Sequence, residues 1–315
     1  MKGSLLALVI GAAAIAVLGT SYALSQFAFV ATWAIAGLGL SLILGQAGQI
    51  SLGHGAFLGI GAYVEGALAV AGWPAWASFP LAVLVAAAAG WVAALPGRRL
   101  GGMAFAMSTL AIALLVEEAL VRWEGLTRGA AGLAIPPLQL FGQTVSGPLG
   151  QFVVSALLLL VAYGCCRRWV GSRLGRAWRA VRDDEVAAAA VGIDCGALRS
   201  LAFVLGAGMA GLAGALYAHW LAYLSPEQFG LQLSFELLML VFIGGVGRLS
   251  GAIWGAAVFV ALPQLIALAT DLLPARWAAA SGTETMAFGV LIVLIILLRP
   301  GGIAGGRRQG RREAG

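Results

Sequence analysis

The run ALRSLAFVLGAGMAGLAGALYAHWL, from Ala197 to Leu221, contains one arginine and one histidine and is otherwise uncharged. About 20 such residues, rising 1.5 Å each as a helix, cross the ~30 Å hydrocarbon core of a bilayer. A helix apolar on every face belongs in a membrane or deep in a large protein. This stretch therefore predicts a membrane span. Gly206, Gly208, Gly211 and Gly214 lie along it, so its neighbours are expected to pack closely, because small residues let helix backbones approach.

Nine further apolar stretches resemble it: Leu5 to Thr20, Phe27 to Leu44, Leu52 to Val70, Ala77 to Leu95, Met103 to Val121, Gln151 to Trp169, Leu233 to Gly247, Ala252 to Thr270, and Thr285 to Leu298. Composition chooses membrane over a soluble core. Of the 315 residues, 61% are apolar and 10% charged, too few charges to clothe a soluble surface and too apolar for disorder. The expected fold is all-α and polytopic, about ten transmembrane helices in a single domain over residues 1–315. Trp73, Trp76, Trp91, Trp123, Trp169, Trp220 and Trp277 fall near proposed span ends, where indoles favour the membrane interface. The first stretch, following Lys2, also fits a secretory signal. With no A-x-A site around Ser21 to Gln26, a retained helix is the expectation, and a cleaved one leaves nine spans in the same orientation.

Positive charge is retained on the cytoplasmic side in short loops. With the N-terminus inside, sixteen of the nineteen Lys and Arg residues become cytoplasmic, leaving Arg122, Arg128 and Arg276 outside. Both termini then lie inside. The net charge of +6 is accounted for by basic residues against anionic lipid, with no role for nucleic acid. A basic tail occupies 300–315. The outer loop 122–150, with Gly129, Gly132, Pro136 and Pro137, predicts irregular backbone rather than a span. The cysteines, the adjacent Cys165 and Cys166 together with Cys195, match neither a disulfide framework nor a zinc site.

The cytoplasmic segment 171–196 carries Arg173, Arg176, Arg179 and Arg182 at intervals of three, which on a helix sweeps them slowly across one face. Glu185 and Ala187 to Ala190 are expected to continue that helix, and Gly192 to stop it. A basic helix lying on anionic headgroups is one reading of this segment.

Within it, GRAWRAVRDDEVAAAAVGI (Gly175 to Ile193) resembles the coupling motif of the branched-chain amino acid ABC permeases, M-subunit type. Further similar segments follow in family order: GQISLGHGAFLGIGAY (Gly48 to Tyr63), AFAMSTLAIALL (Ala104 to Leu115), LTRGAAGL (Leu126 to Leu133), Leu201 to Gly230, Glu236 to Ala256, and LLRPGGI (Leu297 to Ile303). The resemblance covers most of the chain from about Ile35. It implies the ABC importer permease fold in a bacterial inner membrane and pairing with a homologous permease. It also implies two cytoplasmic ATP-binding subunits and an extracytoplasmic solute-binding protein, which the 122–150 loop helps receive. Arg176, Arg179, Arg182, Glu185, Ala188 and Gly192 are then expected to couple to an ATPase, with Arg179, Arg182 and Glu185 seated in a groove on that partner.

Independent of the resemblance, Lys2 is the only lysine, so the chain lacks a P-loop and a Schiff-base site. ATP, if used, is bound by partner subunits, and no cofactor or metal is expected. His54 and His219 fall on opposite sides of the predicted topology and form no catalytic pair. Gln46, Gln49, Ser51, His54 and Glu236 are candidates for the substrate path, since polar groups inside spans are functional candidates by default; for His54 a packing or capping role is preferred. Glu65, Glu117 and Glu118 also lie within or near spans. Gly55 and Gly59, and Gly247, Gly251 and Gly255, repeat every four residues as helix-packing or gate positions. GQAGQIS (Gly45 to Ser51) and GGVGRLS (Gly244 to Ser250) echo one another and suggest two broken-helix entrances. The wider family includes urea and short-amide permeases, an open alternative for the substrate. A gradient-driven transporter or channel is the rival class, but paired carboxylates and cations at mid-membrane depth, expected of such carriers, are absent from the sequence.

Overall fold

The computed structural model describes residues 19–98, 100–145, 147–271, 289–290, 293, 297 and 301–304. Nearly all of the first predicted span, most of the tenth, and the basic tail from 305 lie outside the described residues. The helices are α1 (Ser21–Leu40), continued by a π-helical turn (Ser41–Gln46), α2 (His54–Val70), α3 (Ala75–Ala94), α4 (Gly102–Arg122), α5 (Gly147–Gly171), α6 (Arg173–Asp183), α7 (Glu185–Ala190), α8 (Cys195–Leu221), α9 (Leu231–Gly244) and α10 (Leu249–Asp271). Among the described residues seven helices are long and apolar enough to cross a bilayer, and α2 is a shorter apolar helix. Together they account for eight of the ten predicted spans.

The chain runs up and down between two ends. One end gathers Arg98, Arg167, Arg168, Arg199, Arg248 and the arginines of α6; the other holds Arg122 and Arg128. Helix α8 is the spine, packed against α1, α2 and α3. Its glycines make this possible: a β-carbon at Gly214 would overlap the carbonyl oxygen of Leu58 in α2, and one at Gly61 of α2 would overlap the backbone of Gly211. Aromatic edges fill the rest of the core, with Phe203 against Phe57 and Phe105 at 5.5 and 5.4 Å.

Two helices begin inside the bundle rather than at its surface. His54, the first residue of α2, lies beside Ala36 and Gly39, whereas α1 with its π-turn runs on to Gln46, roughly 10–15 Å farther at 1.5 Å per residue. Residues 47–53 climb back over that distance without helical structure, so the span expected from Leu52 starts two residues later and at depth. From the opposite end, the chain after α8 descends along α2, with Leu224 beside Gly66, Phe229 beside Gly59 and Ser234 beside Gly55. A 3-10 turn at Pro226–Phe229 leads into α9. The span expected over Leu233 to Gly247 accordingly shifts to Leu231–Gly244, ending where Gly245 and Gly247 adopt φ of +112° and +87°.

The 122–150 region contains a helical turn (Glu124–Thr127) and a 3-10 turn (Gly129–Ala131), then β1 (Leu133–Ala134), β2 (Gln139–Leu140) and β3 (Gln143–Thr144). Strand β1 pairs antiparallel with β4 (Tyr223–Leu224), Leu133 opposite Leu224, and β2 pairs with β3. Among its described residues no span interrupts it before α5 begins at Gly147.

The expected single helix from Arg173 through Ala190 is corrected to two. Asp184 is extended (φ −156°, ψ 105°) and its carboxylate accepts from the Ala187 amide at 3.0 Å, capping α7. A short acidic side chain competes well for such orphan amides, which ends α6 at Asp183. Asp194 does the same for α8, accepting from Ala197 at 2.9 Å, so that helix starts at Cys195.

Candidate functional site

Helix α6 is amphipathic, burying Gly175, Trp178 and Val181 at a spacing of three. The Trp178 indole, fully buried, donates to the Leu198 carbonyl at 2.8 Å and fixes α6 to the start of α8. Two arginines turn inward from this platform. Arg182 Nη1 donates to the Gly45 carbonyl at 2.7 Å, and its aliphatic stem lies where a β-carbon of Gly48 would come within 2.6 Å. Arg179 Nη1 donates to Gln46 Oε1 and to the Val170 carbonyl, both at 3.3 Å. Gln46 passes the connection on, its Nε2 donating to the Gly247 carbonyl at 3.0 Å. A β-carbon on Gly45 would sit 2.6 Å from the Gly247 nitrogen. The two echoing glycine segments therefore touch, and α6 is latched to both, by a charge-assisted bond from Arg182 to the Gly45 carbonyl and through Arg179 and the neutral Gln46 amide to Gly247.

Beyond the latch, the chain enters the interior. The Leu52 amide donates to Thr109 Oγ1 of α4 at 3.0 Å, and the Gly55 amide to Ser234 Oγ of α9 at 3.0 Å. The first turns of α2 and α9 thus abut, and the residues before them, Gly53 and Gly230, supply no side-chain cap. The helix dipoles bring two partial positive charges together here. His54 Nε2 donates to the Ala36 carbonyl at 3.2 Å. His54 Nδ1, Ser51 Oγ, Gln49 Oε1 and Ser41 Oγ are buried without a protein partner. The Glu117 carboxylate lies against Gly230, 3.0 Å from where its β-carbon would be.

The opposite end holds a second polar assembly. Glu65 of α2 and His219 in the last turn of α8 meet at 3.0 Å (Oε1 to Nε2), with side chains 1% and 7% exposed. Ser78 of α3 donates to the same Glu65 oxygen at 2.9 Å. The other ring nitrogen of His219 is 3.2 Å from the Pro136 carbonyl. Neither residue signals the other in the sequence, since 154 positions separate them.

Of the residues expected to couple to a partner, Arg176 is exposed, while Arg179 and Arg182 bond within the chain. Glu185 is held by Arg199 in a bidentate pair at 2.6 and 2.7 Å. Ala188 faces inward with Val181 and Cys195. Gly192, at φ +84°, turns the chain after α7. What α7 presents outward is Val186 and Val191, 80% and 76% exposed, which the sequence reading passed over. Of the path candidates, Gln46 belongs to the latch, and Gln49, Ser51 and His54 lie in the interior break. Glu236 is half-buried on α9, accepts from Gln232 at 3.0 Å, and is turned about 200° around the helix from Ser234. Gly55 packs on Ser234, Gly59 on Phe229, and Gly251 and Gly255 on the carbonyls of α9, so these positions serve helix crossings within this chain. Among the described residues no cluster of His, Cys, Asp and Glu could hold a metal.

Apolar helices interrupted in the interior, with polar backbone turned into the bundle, define a multi-pass membrane transport protein. The family is more specific: the model described as "Branched-chain amino acid transport system / permease component" matches residues 22–298, and the chain belongs to that family. It is 31% identical to the high-affinity branched-chain amino acid transport system permease protein LivM of Salmonella typhimurium, over 85% of this chain and 67% of that protein. It is 28% identical to LivH of Escherichia coli, over 87% of this chain and 91% of the relative. With BraD of Pseudomonas aeruginosa it shares 26% identity over 87% and 92% of the two chains. No solved structure matches it significantly.

Proposed function

We propose that the chain is one permease subunit of an ABC importer for branched-chain or similarly small amino acids. It pairs with a homologous permease in a bacterial inner membrane, its arginine-rich end in the cytoplasm. One of two ATP-binding subunits docks on α6 and α7, and an extracytoplasmic solute-binding protein docks on the loop 122–150. The transport systems to which the relatives belong support the substrate class, and the gathering of arginine at one end supports the orientation. The chain carries no cofactor of its own; ATP belongs to the partner subunits, since the only lysine is Lys2.

The observation that carries this reading is the latch. An amphipathic helix outside the spans, bonded through Arg182 to Gly45 and through Arg179 and Gln46 to Gly247, is built to move the ends of two span-connecting segments together. Movement of α6 by the ATPases pulls on the non-helical stretch 47–53, and that stretch ends at the junction of α2 and α9. Opening of this junction exposes the polar atoms of Gln49, Ser51 and His54 to substrate. Exposed Val186 and Val191 supply the apolar contact for the partner, and Arg176 its charged rim.

Arg182→Ala in the complete reconstituted transporter tests this. Loss of one charge-assisted bond of about 1.5–3 kcal/mol is expected to leave the ATPase subunits attached and ATP hydrolysis running, while uptake falls by roughly tenfold or more. Uptake and hydrolysis that stay in their wild-type ratio would remove the latch from the coupling route.

A further inference from the structure

Among the described residues, helix α9 leaves one stripe uncovered. Gln232, Phe235 and Phe242 are exposed and Glu236 is half-buried, all four within about 120° around the helix at 3.6 residues per turn. The stripe lies deep. Leu240, one turn after Glu236, packs on Gly37 of α1, which with its π-turn crosses as one 26-residue span. Gly37 stands just past the middle of that span, and α9 runs parallel to it, the chain reaching Gly45 at Gly247. Four residues before Leu240, about 6 Å at 1.5 Å each, Glu236 is level with the centre.

Faces that suit lipid look different: the exposed Val153, Leu157 and Val161 of α5 are all apolar. On α9 the Gln232 amide donates to Glu236 Oε1 at 3.0 Å, the one hydrogen bond between this pair and any described residue. Ionised or not, the pair keeps a second carboxyl oxygen, an N–H and an amide carbonyl without partners, a capacity that hydrocarbon cannot meet. Ionisable side chains inside spans accordingly face the protein interior or a water-filled path. Among the described residues no arginine, lysine or histidine pairs with Glu236, which leaves it open to a cation from outside the chain.

We propose that the open stripe of α9 lines a water-filled path shared with the homologous permease, and that Glu236 there receives the α-ammonium group of the passing amino acid. That the cargo is an amino acid and the partner a permease rests on the function proposed above. An ammonium group loses most of its hydration at mid-bilayer depth, and a carboxyl group facing it offsets that loss. Phe235 and Phe242, on the same stripe, offer apolar surface to a branched side chain. Ser234, at the junction with α2, is on the opposite side of the same turn, so a displacement of that junction also moves Glu236.

The experiment uses the complete transporter in lipid, freed of native cysteines, with Gln232→Cys as the reporter and Leu157→Cys as the lipid-facing control. Thiol reagents of opposite charge, neither soluble in hydrocarbon, are added to the water. Position 232 is expected to react at least about tenfold faster than position 157; equal rates would mean that the stripe is dry and would overturn the path. The positive reagent is expected to be favoured over the negative one, and Glu236→Gln to cut that preference several-fold. An unchanged preference shows that Glu236 does not act on cations. Should Gln232→Cys not assemble, Phe235→Cys on the same stripe replaces it. With binding protein present, Glu236→Gln in the otherwise native transporter is expected to keep hydrolysing ATP while uptake per ATP falls about tenfold or more. Glu236→Asp, which keeps the carboxyl group, is expected to retain most of the uptake. Wild-type uptake per ATP in Glu236→Gln overturns the substrate contact. A wild-type complex that takes up no amino acid defeats the proposed function, while the reagent rates still decide whether Glu236 faces water and draws cations.

Discussion

The two ends of the molecule hold their non-helical segments by opposite means. At the arginine-rich end, Arg179 and Arg182 lie partly in solvent and reach inward, Arg182 to the Gly45 carbonyl and Arg179 to the Gln46 side chain and the Val170 carbonyl. At the other end, Glu65 and His219 are enclosed and bond to each other, with Pro136 as the anchored backbone. The difference matters energetically. A half-exposed guanidinium can swing away from a carbonyl and be rehydrated, so the first fastening is reversible at small cost. A buried polar group stripped of its partner has no water to turn to and is costly. The first arrangement suits a joint that moves in every transport cycle, and the second suits a fixed platform.

Both ends hang from α8, so breaking that spine should abolish the difference altogether. Gly214→Leu places a side chain where even a β-carbon overlaps the Leu58 carbonyl. Overpacking of this kind costs on the order of 1–3 kcal/mol, and more where backbone cannot shift. The expected outcome is loss of folded chain, read by detergent-solubilised yield and thermal unfolding. A folded variant with ordinary stability would show that α2 and α8 are less tightly crossed than described.

Next in size is Val186→Asp. Val186 is 80% exposed on α7, contacts nothing the fold needs, and is the apolar centre of the proposed docking face. Burying an unpaired carboxylate at such a contact is expected to weaken ATPase association by about 2–4 kcal/mol, measured as subunit retention during purification, with unfolding temperature unchanged. Retention at the wild-type level would move the docking site off α7. The Glu65–His219 end should be indifferent to this change, and hydrogen exchange at Leu133 to Ile135 checks that.

Much of this was legible in the sequence, and what was not has identifiable causes. Eight spans emerge from apolar length alone, because only lipid tolerates a run such as LAFVLGAGMAGLAGALYAHWL. The likeness of GQAGQIS and GGVGRLS was visible, whereas their contact through Gly45 and Gly247 appears only in the fold. The interior starts of α2 and α9 were hidden, because 47–53 and 223–230 read as ordinary connections between spans and a sequence does not show how deep into the bundle a connection reaches. The helix break at Asp184 did carry a signal, an acidic N-cap residue before Ala187; the three-residue spacing of the arginines masked it. Arg179 and Arg182 looked like partner contacts because a sequence shows their charge and not the Gln46 side chain and Gly45 carbonyl waiting across the fold. Glu65 and His219 each read as solitary, and only tertiary structure joins residues so far apart.

The smallest expected effect concerns Glu185, whose reversal to arginine would have been severe had it been buried against a partner. Instead it pairs with Arg199, the two side chains being 49% and 17% exposed. Bidentate geometry lends some strength, but a half-exposed carboxylate is well solvated before and after pairing. A double-mutant cycle with Glu185→Gln and Arg199→Gln is expected to give a coupling of about 0.2–1 kcal/mol in stability. The coupling should shrink as salt is raised, because exposed pairs are screened. The arginine alone should matter more than the glutamate, since Arg199 Nε is buried without a partner and its stem packs at the start of α8. Glu185→Gln should therefore leave ATPase retention and uptake within about twofold of wild type. A loss as large as that expected for Val186→Asp would mean that Glu185 leaves Arg199 and meets the partner when the complex forms, and would restore it to the docking face.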